Sequence, residues 1–137
     1  MDNSLYKKLV DSMVDYCKGS GMKAEDIPSL IEKYKLDVLT SFLQGSTELH
    51  VIKKEGLVEK FDEEKLFLSI GNASDEIEEP LTSGDIHTIV SEVIKELKAQ
   101  NRTIIPSYQI RDIVLNSLND LAFFDVSKSY KDYTKGR

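Results

Sequence analysis

The sequence predicts an α+β fold, mostly α with a small β-sheet, preceded by a helical hairpin. Three observations carry this. Ahead of Gly45 only helical spacing of apolar residues occurs. Between His50 and Phe61 the spacing shortens around a Glu-Gly pair, as in two paired strands. From Asp62 onward helical spacing returns, interrupted by one short β-branched run at residues 102–105.

In the first segment Leu5, Leu9, Val10, Met13, Val14 and Cys17 make one apolar stripe, with Ser4 placed to cap. KGSGMK at 18–23 is a turn. Asp26 and Pro28 suit the start of a second helix, whose stripe is Ile31, Tyr34, Val38, Leu39 and Phe42, and Gly45 suits its stop. HVIKK and LVEKF then flank Glu55-Gly56, a hairpin signal because glycine accepts the positive φ of a primed turn. With a two-residue turn there, Val51, Lys53, Val58 and Lys60 share one face, and Ile52, Lys54, Leu57, Glu59 and Phe61 the other. Asp62 is a good N-cap, and Glu63 and Glu64 suit the positive end of a helix that turns Leu66, Ile70 and Ala73 inward. Order is expected to lapse in SDEIEEPLTS. Thr82 and Asp85 form a capping-box pattern ahead of the stripe Ile86, Ile89, Val90, Val93, Ile94 and Leu97. Residues 102–105, RTII, read as a strand closed by Pro106. Ser107 is placed to cap a helix with Ile110, Ile113, Val114, Leu118 and Leu121 on its apolar face. A break at Asn119-Asp120 starts a last helix carrying Phe123, Val126, Tyr130 and Tyr133. The division expected is a hairpin over 1–48, a second domain over 49–133 and a flexible tail at 134–137.

Composition narrows the function. With 18 Lys and Arg against 24 Asp and Glu, the net charge of −6 argues against a broad nucleic-acid or anionic-membrane footprint. No apolar run approaches the roughly 20 residues that span a bilayer, and MDNSLYKKLVDS has no secretory pattern. A lone cysteine, Cys17, excludes an internal disulfide and a multi-cysteine zinc site. A cytoplasmic setting is the expectation.

The hairpin raises a sharper question, because an acidic chain places Lys53, Lys54, Lys60 and Lys65 around one turn. Taken alone, a Lys-Lys pair beside a turn is a solvated tip, Asp62 is an N-cap, and His87 is a boundary or core histidine beside an apolar stripe. His50 and His87 lack a metal-binding spacing, and GSGMK lacks the spacing of a phosphate loop.

The order hairpin, helix, helix, strand, helix, helix carries a resemblance. VIKKEGLVEKFDEEKL, SGDIHTIVSEVIKEL, IIPSYQIRDIVLNSL and VSKSYKDY together resemble the ATP-cone. This is a nucleotide-binding regulatory domain found at the N-terminus of many ribonucleotide reductases and in the bacterial repressor of their genes. The likeness spans residues 51–133, and the last third is nearer to the repressor's version. It implies a helical bundle capped by a three-stranded sheet, with ATP or dATP, with or without Mg2+, held under the sheet and no redox cofactor. By this resemblance Val51, Lys53, Lys54, Glu59, Asp62, Lys65 and His87 line the nucleotide site. Val51 would contact the base, Asp62 a polar edge of base or sugar, and His87 sugar or phosphate.

Elementary chemistry agrees for the lysines: ammonium groups on a rigid hairpin meet a triphosphate at small entropic cost. Lys65 lies in a first helical turn, where backbone N–H groups also favour anions. Two departures stand out. Lys54 replaces the family's usual Arg and loses its bidentate fork. SDEIEEPLTS is longer than the repressor's equivalent and carries four acidic residues.

The function expected is a non-catalytic regulator that senses adenine nucleotide, linked to ribonucleotide reductase or its transcriptional control, with no enzyme activity. The alternative is a degenerate cone serving as a protein-interaction scaffold. Direct DNA binding is expected to be unlikely, because residues 1–48 carry six Lys against eight acidic residues. About 45 residues are too few for a core of their own, so the N-terminal helices are expected to support a homo-oligomer or to engage a partner protein.

Overall fold

The computed structural model describes residues 3–134. The chain forms two compact units, Met1–Phe42 and Leu43–Arg137.

The first unit is a pair of helices, α1 (Asn3–Gly19) and α2 (Ile27–Phe42), joined through one 3-10 turn at Ala24–Asp26. Gly21 ends α1 with φ 69. The Met22 N–H reaches the Cys17 carbonyl and the Gly21 N–H the Lys18 carbonyl, the crossed pair of bonds of a left-handed C-terminal cap. Ser4 lies inside α1 rather than at its cap. Among the described residues of this unit Cys17 alone is buried, while Leu5, Leu9, Tyr16, Val38 and Phe42 are exposed.

The second unit is the mostly helical α+β arrangement expected: a three-stranded mixed sheet on four helices. Strands β1 (His50–Ile52) and β2 (Val58–Lys60) pair antiparallel, and β3 (Ile104–Pro106) pairs parallel to β1, giving the order β2-β1-β3. The helices are α3 (Glu63–Asp75), α4 (Ser83–Ala99), α5 (Ser107–Asp120) and α6 (Phe124–Tyr133). Helix α3 packs on α4 and α6, and α5 packs on the same two. Ile70, Ile89, Val93, Val114, Leu118 and Val126 fill the space between them, and Val51 and Ile105 close it from the sheet. Burying one such side chain stabilises by about 1.5–3 kcal/mol.

Several local expectations are corrected. The hairpin turns through three residues, not two. The Gly56 N–H reaches the Lys53 carbonyl at 2.9 Å, the Lys53 N–H reaches the Leu57 carbonyl at 2.8 Å, and Gly56 adopts φ 91. This is a tight turn followed by a left-handed bulge residue. Val51 therefore faces Glu59 and Ile52 faces Val58, and the one-residue shift reassigns the faces. Val51, Lys53, Leu57, Glu59 and Phe61 stand together.

Secondly, β3 runs over Ile104–Pro106 rather than 102–105; proline is tolerated there because β3 is an edge strand. Thirdly, Pro106, not Ser107, is the N-cap of α5. The helical order of α3 lapses after Asp75 as expected, and the segment that follows is tied back where the Leu81 N–H donates to Ser74 Oγ at 2.6 Å. The break before α6 falls at Ala122, a non-glycine residue with φ 63. Thr134 is buried against α6, its hydroxyl donating to the Tyr130 carbonyl; the rest of the expected tail, 135–137, lies outside the described residues.

Candidate functional site

The hairpin register places charge where neither strand alone would. With Lys53 and Glu59 on one face, Lys53 Nζ approaches Glu59 Oε1 at 3.3 Å, and Lys65 Nζ from the first turns of α3 approaches the same oxygen at 3.7 Å. One carboxylate thus holds two ammonium groups that would otherwise repel. Side chains here are 38–66% exposed (41% for Lys53, 38% for Glu59, 66% for Lys65), so water screens these pairs and each adds little to stability. Asp62 starts α3 and accepts from the Glu64 N–H at 2.9 Å and the Lys65 N–H at 3.4 Å. Its carboxylate already occupies the anion position at this helix end.

These groups open onto a cleft of about 470 Å³ between the hairpin, α3, α5 and α6. Val51, Phe61, Leu66 and Ile110 make its apolar wall, and Lys53, Lys60, Lys65 and Arg111 its cations. Ser69, Ser107, Tyr130 and Thr134 add hydroxyls. Tyr130 is nearly buried, and burial pushes its phenol above the usual value; a hydrogen bond with Ser69 and the charge of Arg111 pull the other way. Such a cleft offers a flat apolar surface for a ring and cations for an anionic tail.

A larger hollow of about 840 Å³ lies beside residues 76–79 and α6, lined by Glu76, Glu78, Glu79, Asp125 and Asp132 with Lys128 as the counter-charge. That field repels a polyanion. The acidic segment 75–79 does not line the Lys53 cleft. Among the described residues no group of three or more acidic, histidine or cysteine side chains could hold a metal ion, and no helix is long and apolar enough to cross a membrane.

The family model of the ATP cone domain matches residues 49–137. The chain belongs to the ATP-cone family. It is also 35% identical over 86 residues to the transcriptional repressor NrdR of Methylacidiphilum infernorum, a match covering 61% of this chain and 51% of that protein. The NrdR repressors of Rhodospirillum centenum (34% over 89 residues, 63% of this chain and 56% of the other) and Exiguobacterium sibiricum (30% over 90 residues, 64% and 55%) are similar. The chain spans about half the length of the curated relatives it matches.

Within the ATP cone, five of the seven residues singled out in the sequence stand together: Val51, Lys53, Glu59, Asp62 and Lys65 line the one cleft. Lys54 and His87 do not line it. Lys54 is exposed in the hairpin loop, and His87 stands on the exposed side of α4 with its ring 4.7 Å from that of Phe67. Sequence reasoning missed Arg111 and read Tyr130 only as core. Both come from elements far along the chain, and neither sits in the opening motif that drew attention to the hairpin.

The relatives overturn one expectation. Charge alone argues that direct DNA binding is unlikely, yet these similar proteins are named transcriptional repressors. Summed charge describes neither a local patch nor a partner segment, so it is no argument against DNA.

Proposed function

We propose that this chain is a non-catalytic regulatory protein that senses ATP or dATP in the cleft beneath the β1–β2 hairpin. The observation that carries the proposal is the convergence of Lys53 and Lys65 on one cleft whose wall includes Val51 and whose rim includes Asp62. Membership of the ATP-cone family supports the ligand class. Val51 would take the base and Asp62 a polar edge of base or sugar, with Lys53 and Lys65 on phosphates. Any Mg2+ would enter on the phosphate oxygens, as this ion usually does. Because the similar proteins are transcriptional repressors NrdR, the process regulated is proposed to be ribonucleotide reductase or the transcription of its genes. The exposed apolar residues of α1 and α2 support a further role for residues 1–42 in assembly with a second copy or a partner.

One observation favours the second reading, a cone that binds no nucleotide and serves as a scaffold: Glu59 already pairs with both lysines. Calorimetric titration separates the two. Saturable binding of ATP, weakened in Lys53→Ala, supports the sensor; no binding of ATP or dATP by folded protein supports the scaffold.

A further inference from the structure

Every lysine that lines the cleft is already paired with a carboxylate: Lys53 and Lys65 with Glu59, and Lys60 with Glu48. Arg111 is not. Among the described residues it forms neither an ion pair nor a side-chain hydrogen bond, and its Nε is shielded from solvent without a partner. A buried N–H on a permanent cation is costly to leave unmade, and the polar atoms of folded proteins are rarely left so unless a ligand or water supplies the acceptor. The guanidinium also acts electrostatically on the phenol of Tyr130, across the same cleft from α6. It therefore stands among the groups lining the cleft, not on the outer surface of α5.

We propose that Arg111 is a phosphate-binding residue, donating from Nε and a terminal nitrogen to a phosphate group of the nucleotide. Lys53 and Lys65 reach the phosphate chain from the hairpin and α3, and Arg111 reaches it from α5. This rests on the nucleotide-sensing reading and adds to it a residue outside the opening motif. Two chemical features favour arginine at this place. Its planar fork matches two oxygens of one phosphate, and its charge needs no internal carboxylate to be displaced when the ligand arrives. The consequence is selectivity by phosphate number, because the contribution of Arg111 falls as the phosphate chain shortens.

The test compares ATP, ADP, AMP and adenosine by calorimetry on the full chain, unmodified and as Arg111→Gln and Arg111→Lys. Arg111→Gln is expected to weaken ATP by about ten- to a hundredfold, the span of one or two charge-assisted hydrogen bonds, with adenosine unchanged and the preference for ATP over AMP narrowed. Arg111→Lys keeps the charge and loses the fork, so it is expected to recover only part of the loss; it also serves if the glutamine variant does not fold. Full ATP affinity in either folded variant overturns the assignment, and so does an equal loss for ATP, AMP and adenosine, the mark of a packing role. If the unmodified protein binds ATP and only Lys53→Ala weakens it, the sensor stands and Arg111 falls. If the unmodified protein binds none of the four, both fall together.

Discussion

Lys53 and Lys54 are neighbours in sequence and part company in the hairpin. Lys53 continues the face of Val51 and reaches Glu59, whereas Lys54 sits in the turn and lines no part of the cleft. Lys53→Ala is expected to weaken ATP binding by about ten- to a hundredfold, as for one charge-assisted contact or more. Lys54→Ala is expected to leave it within roughly threefold, the scale of a distant, screened charge. Equal losses in separate titrations would contradict the register. Tyr130 makes a second test, through pH. Its phenol is raised above the usual 10.0, chiefly by burial, so the phenolate is disfavoured in the folded state. Below the unfolded value this stabilisation is complete, and it is lost as pH rises through the higher folded value. Denaturant midpoints are therefore expected to be flat with respect to Tyr130 up to about pH 10 and to fall above it. Tyr130→Phe should flatten that alkaline limb, and an unaltered limb would count against the burial argument.

At the scale of elements, caps separate what sequence showed from what it hid. Thr82 and Asp85 exchange reciprocal hydrogen bonds of 3.1 Å at the start of α4. Thr82→Ala is expected to cost about 1 kcal/mol in chemical denaturation. Ser107→Ala is expected to change stability by less than about 0.5 kcal/mol, because Pro106 holds the cap position and Ser107 caps nothing. Helices α3 to α6 were legible because each buries one stripe, and Leu66-Ile70-Ala73 or Ile86-Ile89-Val90-Val93 record that burial locally. Hairpin register was not. Glu55-Gly56 fits both a two-residue turn and the end of a three-residue loop, and the difference moves Glu59 from one face to the other. The stop at Ala122 carries no glycine to announce it. Residues of the cleft beyond the hairpin were hidden for a related reason. Arg111 follows Ile110 in a helix marked in the sequence by its apolar stripe, and only the packing of α6 against both α3 and α5 brings Arg111 and Tyr130 into one cleft with Lys65.

For the molecule as a whole, the division into Met1–Phe42 and Leu43–Arg137 matters more than the summed charge. The cleft is built entirely from the second unit, whose core of Ile70, Ile89, Val114 and Leu118 is fully closed. A chain restricted to residues 43–137 is therefore expected to fold and to bind ATP within about twofold of the full chain, well under the tenfold that 1.4 kcal/mol represents. Circular dichroism and titration check this, and an unfolded product would show that residues 1–42 belong to the core. Charge counts, whether over the whole chain or over residues 1–48, do not decide the DNA question, because the similar proteins are named transcriptional repressors. The central claim, a nucleotide sensor centred on Lys53 and Lys65, is tested most directly by calorimetric titration of the full chain with ATP and dATP, alongside the Lys53→Ala/Lys65→Ala double variant. Saturable binding to the unmodified protein is expected, weakened by about a hundredfold or more in the double variant. Folded protein that takes up neither nucleotide, or a double variant that binds as tightly as the original, would contradict it.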